Sequence, residues 1–274
     1  MIIYDNHMKK IKDSDYMDSS YGINKHWDEG DINLEELKKI GFTIVEGLFS
    51  DLEMNQLNEE AEKLLMEQEQ TVNTPESEKN MLRSPVSHSK IFRDIVIRIS
   101  ELELISRCLG TNIFQLQLQN GIKVEPQLNH FQSSWHRDLP YQHWVSSSPL
   151  AISVLLAVTP FKFETGATLM IPHSHKWDEF PSEEYLKKHQ ICIEAQPGSV
   201  IIFDSMVYHK AGRNISKNTR WAINHVFTTP ILKQQISLSP SINENNLNDR
   251  EKILFGHKYK TPNTIEEFHI NRQN

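Results

Sequence analysis

The sequence predicts a mainly β domain, a jelly-roll barrel with helices packed against its outside. Three observations lead there. Helical periodicity is concentrated before residue 110, the stretch from residue 113 to 230 is a series of short apolar segments, and Gly166, Pro197-Gly198 and Gly212 punctuate those segments as turns. A chain of 274 residues is long enough for one domain of this kind with a substantial core.

Residues 1–33 are polar with scattered aromatics and read as an arm of unknown role. Leu34, Leu37 and Ile40 then fit a short helix with Asn33 at its N-cap and Gly41 at its end, and Phe42-Thr43-Ile44-Val45 reads as a strand. Ser50 with Glu53 three residues on makes a capping box for a second helix, whose apolar face is Leu52, Leu57, Ala61, Leu64 and Leu65. Residues 67–90 are polar, hold Pro75 and Pro85 and lack a period, which predicts a long surface loop of the kind that forms lids. A helix over residues 91–108 stops before Gly110. Strands follow at 113–118, 150–158, 168–171, 191–194, 199–203 and 220–227. The domain proper therefore spans 34–230, with 231–274 a polar C-terminal extension that holds a short helix near 265–268.

Composition narrows the function. With 29 Lys and Arg against 36 Asp and Glu, the net charge of −7 and the lack of a basic patch argue against nucleic-acid binding. Cys108 and Cys192 are far apart, which excludes a disulfide framework or zinc ribbon and fits a reducing compartment. The N-terminus lacks the apolar run of a secretory signal, and the most apolar stretch, 150–158, is about half of the ~20 residues a membrane helix needs. The expectation is a cytoplasmic protein with no membrane partner; oligomeric state is not legible.

The chemistry is concentrated in His136-Arg137-Asp138, His209 and Arg220. Side chains two apart on an extended strand share a face, so His136 and Asp138 are able to grip one metal ion while Arg137 points away. His209, shortly after the apolar strand Ile201-Ile202-Phe203, completes a set of two imidazoles and a carboxylate. Such a facial set leaves positions open for a co-substrate and dioxygen on non-haem Fe(II). A lone His-x-Asp is common, and a histidine at a turn often only faces solvent; it is the combination with Arg220 that makes the metal reading the stronger one. In the strand Arg220-Trp221-Ala222-Ile223-Asn224-His225, residues 220, 222 and 224 share one face. An arginine directed into a barrel is an unpaired buried cation unless an anion meets it, and the distal carboxylate of 2-oxoglutarate accepts two parallel hydrogen bonds from a guanidinium.

Four segments together carry a family resemblance: GFTIVEGLFSDLEMNQL, WHRDLPY, ETGATLMIPHSHKW and PGSVIIFDSMVYHKAGRNISKNTRWAIN. Over roughly residues 34–230 the chain resembles the phytanoyl-CoA dioxygenase family of Fe(II)- and 2-oxoglutarate-dependent oxygenases. The resemblance implies a double-stranded β-helix, the cupin-like form of the jelly roll. It also implies His136, Asp138 and His209 as iron ligands, Arg220 as partner of the 2-oxoglutarate carboxylate, and dioxygen as second co-substrate. Two departures stand out. His173 replaces a turn glycine, which requires local support if its φ is positive, and Ala211 stands where the family often has a serine near the co-substrate. Asp138 occupies the position that related halogenases leave open for chloride.

The reaction implied is decarboxylation of 2-oxoglutarate to succinate and carbon dioxide coupled to oxidation of a polar small molecule. Hydroxylation is the default, with desaturation, epimerisation and cyclisation left open. Tyr141, His143 and His173 are candidate substrate contacts on the open side of the metal, with a structural rim the plainer alternative. Arg83, His88, Lys90 and Arg93 gather around the expected loop and suit an anionic substrate, although surface charge is more often merely solvated. Two rivals remain at this point: a zinc hydrolase, which uses the same ligand types, and a jelly-roll sensor that binds a ligand without turnover.

Overall fold

Every residue of Ala-Ile-Ser-Val-Leu-Leu-Ala, strand β4 (Ala151–Ala157), is buried. Strands solvated on one face alternate apolar and polar; one buried on both faces cannot. In the computed structural model, which describes residues 31–128, 131–142 and 144–271, β4 lies inside a six-stranded antiparallel sheet. The order is β1 (Phe42–Val45), β7 (Val200–Asp204), β4, β9 (Arg220–Thr228), β3 (Gln115–Val124) and β2 (Met81–Arg83). A second sheet holds β6 (Ile191–Ile193), β5 (Thr168–Met170) and β8 (His209–Lys210).

The large sheet is covered twice, and period-two alternation sorts its residues. Ile152, Val154 and Leu156 of β4, Val200 and Ile202 of β7, and Trp221, Ile223 and Phe227 of β9 face the helices. Leu155 and Ala157, Ile201 and Phe203, and Ala222 face the other way, into a core completed by Met170 and Ile193 of the small sheet. That second core is the barrel interior, so the antiparallel double-sheet jelly roll expected from the sequence is present.

The helical layer consists of α1 (Ile32–Lys39), α2 (Asp51–Thr71), α3 (Lys90–Ser100) and α4 (Glu103–Leu109). The Ser50 capping box closes as expected, with the Glu53 N–H donating to Ser50 Oγ and the Ser50 N–H to Glu53 Oε2. Of the face expected for α2, Leu57, Ala61, Leu64 and Leu65 are buried with Met54, whereas Leu52 is exposed. Later in the chain come α5 (Glu183–His189), α6 (Asp249–Leu254) and α7 (Ile265–Asn271).

Several expectations need correction. The N-cap of α1 is Asp31, whose carboxylate accepts from the Leu34 N–H at 3.1 Å; the Asn33 side chain instead accepts from the Thr43 hydroxyl at 2.9 Å. The segment 67–90 is not a free loop, because α2 runs to Thr71 and β2 pairs with β3 while Met81, Leu82 and Val86 are buried. Nor do its cations form an open anion site: Arg83 pairs with Glu78 and Lys90 with Asp94, and Arg93 donates to the Val86 carbonyl. The single helix expected over 91–108 breaks at residues 101–102, which lets Leu104, Ile105 and Cys108 turn into the same core as Phe92, Ile95 and Ile99. Beyond β9, Leu238, Ile242, Leu254 and Phe255 pack into the helix-side core, so the C-terminal extension is built onto the barrel. Most of the N-terminal arm, residues 1–30, lies outside the described residues.

At the turn before β7, Gly198 has φ +80, and a Cβ there would lie 2.0 Å from the Phe49 carbonyl oxygen. Only glycine permits this approach, and the Phe49 N–H donates to the Gly198 carbonyl across it. The contact ties the start of α2 to the strand that leads toward His209.

Candidate metal centre

His136 lies in an extended run that pairs with β8: its N–H donates to the His209 carbonyl at 3.0 Å and its carbonyl accepts from the His209 N–H at 3.1 Å. Two residues on, the Asp138 N–H donates to the Ser205 carbonyl at 3.0 Å. This pairing sets the side chains. Ligand-capable atoms of His136, Asp138 and His209 all lie within 4.8 Å of one another. Arg137 points away, as the alternation requires. Its guanidinium donates to the carbonyls of Met206 (3.1 Å), Ser174 (3.4 Å) and Trp177 and lies 4.1 Å over the Tyr208 ring.

Each imidazole has one nitrogen occupied. His136 Nδ1 is 2.8 Å from the Ser134 carbonyl and His209 Nδ1 is 2.9 Å from the Val207 carbonyl. A carbonyl only accepts, so both Nδ1 atoms carry hydrogen and both Nε2 lone pairs are directed inward, the orientation in which histidine binds a metal. His136 Nε2 is buried without a partner. Asp138 Oδ2 accepts from the Ser153 hydroxyl at 2.6 Å and from Asn224 Nδ2 at 3.4 Å, while Oδ1 faces His209 Nε2 at 3.6 Å.

Electrostatics matches this geometry. Burial, and then the neighbouring His209, push the His136 pKa down to about 4, so it is neutral at physiological pH. Burial opposes charge on Asp138 as well, but the attraction and hydrogen bond of His209 outweigh it and hold the carboxyl below its ordinary range. For His209 burial acts downward, and the Asp138 carboxylate overcomes it and raises the pKa. A carboxylate and two imidazoles in a partly buried cluster make a socket for one divalent cation, and an ion there satisfies the orphaned Nε2 of His136.

Arg220 opens this socket to an anion. It is 1 % exposed, its Nε has no hydrogen-bond partner, and its Cζ stands 4.6 Å over the Phe161 ring. Burial lowers its pKa to about 10, which leaves it positive at neutral pH. Among the described residues no carboxylate pairs with it. Arg220, His209, Asn224, Thr168, Gln132 and Ala211 line one small recess. The chemistry of the residues present therefore suits a metal ion with an anionic group beside it.

Sequence reasoning found His136, Asp138, His209 and Arg220, which the fold brings together, and missed Ser153, Thr168, Gln132 and Asn224. A signal for Ser153 existed, since it is the one hydroxyl in an otherwise apolar buried strand; Thr168 and Gln132 gave none. Of the three candidate substrate contacts, two are among the described residues. Tyr141 is 89 % exposed, and neither it nor His173 lines the recess. His173 does take the positive φ its position demands, +65, and the support comes from α1: its N–H donates to the Ile40 carbonyl at 2.8 Å and its Nδ1 is 2.9 Å from the Lys39 carbonyl. His143 lies outside the described residues.

Comparison with known proteins agrees with this geometry. The family model described as Phytanoyl-CoA dioxygenase (PhyH) matches residues 37–222. An uncharacterized protein of Mycobacterium tuberculosis is 30% identical over 212 residues, covering 74% of this chain and 76% of that one. The multifunctional dioxygenase prhA of Penicillium brasilianum is 25% identical over 241 residues, 79% of each chain. Among solved structures, the epimerase SnoN in complex with Fe3+, alpha ketoglutarate and nogalamycin RO has a similar fold, with a TM-score of 0.59 and 16% identity over 80% of this chain and 91% of that one. No helix among the described residues is long and apolar enough to cross a membrane.

Proposed function

This chain belongs to the phytanoyl-CoA dioxygenase family and is an Fe(II)- and 2-oxoglutarate-dependent dioxygenase, and from that premise we propose that it hydroxylates a polar small-molecule metabolite. In this reading His136, Asp138 and His209 hold the iron and Arg220 receives the distal carboxylate of 2-oxoglutarate. The observation that carries it is the shared recess: a buried guanidinium without a carboxylate partner opens onto the same space as a histidine of the triad. A dicarboxylate co-substrate meets that cation with its distal carboxylate.

Bound iron with 2-oxoglutarate supplies the oxidising chemistry, in which one atom of dioxygen enters succinate as carbon dioxide is lost and the other enters a substrate C–H bond. The protein's own part is positional. The Ser134 and Val207 carbonyls accept from Nδ1 of His136 and His209 and so aim Nε2 of each ring inward. Arg220 fixes the far end of the co-substrate, with Thr168, Gln132 and Asn224 as polar wall. Ile122, Leu155 and Phe203 on the same wall exclude water and strengthen each polar contact inside.

The test has two stages. Anaerobic addition of Fe(II) and 2-oxoglutarate to the protein is expected to give the visible charge-transfer absorption of their chelate. A panel of polar metabolites is then screened for stimulated succinate formation. A correctly folded, iron-loaded protein that gives no such absorption refutes the assignment of the site, and a stimulating substrate recovered without an added hydroxyl refutes hydroxylation.

A further inference from the structure

Ser153 is polar where the fold calls for an apolar residue. It lies mid-strand in β4, 0 % exposed, on the face that Leu155 and Ala157 turn to the barrel interior. A buried hydroxyl without a partner is costly, so its bonds account for its presence. Its oxygen lies 2.6 Å from Asp138 Oδ2 and 2.7 Å from the hydroxyl of Ser205, which is also 0 % exposed. An ionised carboxylate only accepts, so the single hydrogen of Ser153 is committed to Asp138. Ser205 must then be the donor in the serine pair. The result is a one-way chain, Ser205 O–H to Ser153 O–H to Asp138 Oδ2, in which each bond polarises the next. Ser205 also holds Asp138 through the main chain, accepting its N–H at 3.0 Å.

We propose that Ser153, polarised by Ser205, is a positioning residue that keeps Oδ2 of Asp138 away from the metal and presents Oδ1 alone. The proposal rests on the assignment of Asp138 as a metal ligand. Its consequence follows from counting positions. An octahedral ion that takes two imidazoles, the two chelating oxygens of 2-oxoglutarate and dioxygen has one place left for Asp138. A carboxylate free to bind through both oxygens would fill the place dioxygen needs. With Oδ2 occupied by a short charge-assisted hydrogen bond, supplemented by Asn224 at 3.4 Å, that mode is closed.

The experiment titrates metal-free protein with Co(II), whose visible absorption reports both affinity and coordination number, in native protein and in Ser153→Ala, Ser205→Ala, the double variant and Asp138→Ala. Ser153→Ala is expected to bind Co(II) about 10-fold to 100-fold more weakly, the usual effect of removing a partner that orients a ligand, with a changed absorption envelope. Ser205→Ala is expected to lose less, and to add nothing in the Ser153→Ala background because it acts only through Ser153. A purely structural pair would lower thermal stability and leave affinity and absorption unmoved. Ser153→Ala within about twofold of native affinity, or serine losses that simply add, overturns the proposal. If Ser153→Ala does not fold, an unchanged Ser205→Ala spectrum and affinity overturns it instead. Asp138→Ala separates the two levels: native-like binding there sinks the metal site itself, whereas loss there with a silent Ser153→Ala sinks only the relay.

Discussion

Replacing Arg220 by methionine should raise the stability of the ligand-free protein and abolish its response to 2-oxoglutarate. Methionine keeps the length and apolar stem of arginine and removes the charge. In the fold, burial brings the Arg220 pKa from 12.5 to about 10, which corresponds to about 3 kcal/mol of penalty on the charged form. The Phe161 face, 4.6 Å away, returns part of this, so a net gain of about 1–3 kcal/mol is expected for Arg220→Met. For a chain of this size that is a rise of roughly 2 °C or more in the midpoint of thermal unfolding. Binding moves the other way. Loss of a buried, charge-assisted partner costs about 2–5 kcal/mol, so 2-oxoglutarate affinity should fall by about 30-fold or more. The assay is thermal unfolding with and without 2-oxoglutarate, alongside anaerobic titration of the Fe(II)-loaded protein. A variant that is less stable than native yet binds 2-oxoglutarate equally well would refute the reasoning, because the guanidinium would then be serving the fold and not the co-substrate.

Three further outcomes are expected. Asp138→Ala should lower Fe(II) affinity by about 100-fold and stop succinate formation, read by metal titration and by product analysis; retention of both removes Asp138 from the centre. Asp204 is raised from 3.8 to about 6, first by burial, against the Met206 N–H, Lys176 and Arg137. The fold thus binds its proton more tightly than the unfolded chain does, and the resulting stability is complete below pH 4 and is lost as pH rises through 6. Asp204→Asn, which can still accept from the Met206 N–H, should match native protein at pH 4 and exceed it by up to about 3 kcal/mol at pH 8 in chemical denaturation. A stability difference independent of pH would contradict this. Ser50→Ala should cost about 1 kcal/mol in the same measurement, from loss of the capping box of α2, and a neutral result would show that packing alone holds that helix start.

Strands with strong apolar runs were legible from the residues, and so was the α2 capping box, because burial on both faces and a reciprocal side-chain cap leave direct marks in the text. Strand β2 was not. Three residues are too few to show a period, and Met81–Arg83 is a strand only because β3 pairs with it. The start of α1 lies two residues before the expected one because Asp31 and Asn33 are both good caps, and it is Asp31 that takes the Leu34 N–H while the Asn33 side chain meets Thr43, ten residues on. At the proposed site, spacing named the four groups with distinctive chemistry. Their supports it could not name, since Ser205, Thr168 and Gln132 are ordinary residues given a task only by the neighbours that folding brings to them. His173 is the reverse case: its left-handed φ was foreseeable from the glycine that the family has there, and its tie to the end of α1 was not.

The reciprocal main-chain bonds between His136 and His209 mean that amide chemistry, not the ion, assembles the socket. Such a protein can complete its folding before it meets any metal and then accept whichever divalent ion arrives, with copper, nickel or zinc intrinsically preferred to iron by histidine-rich sites. Its identity as an iron enzyme is then decided by supply, so production in zinc-rich medium would give a well-formed but silent protein that wakes only on exchange.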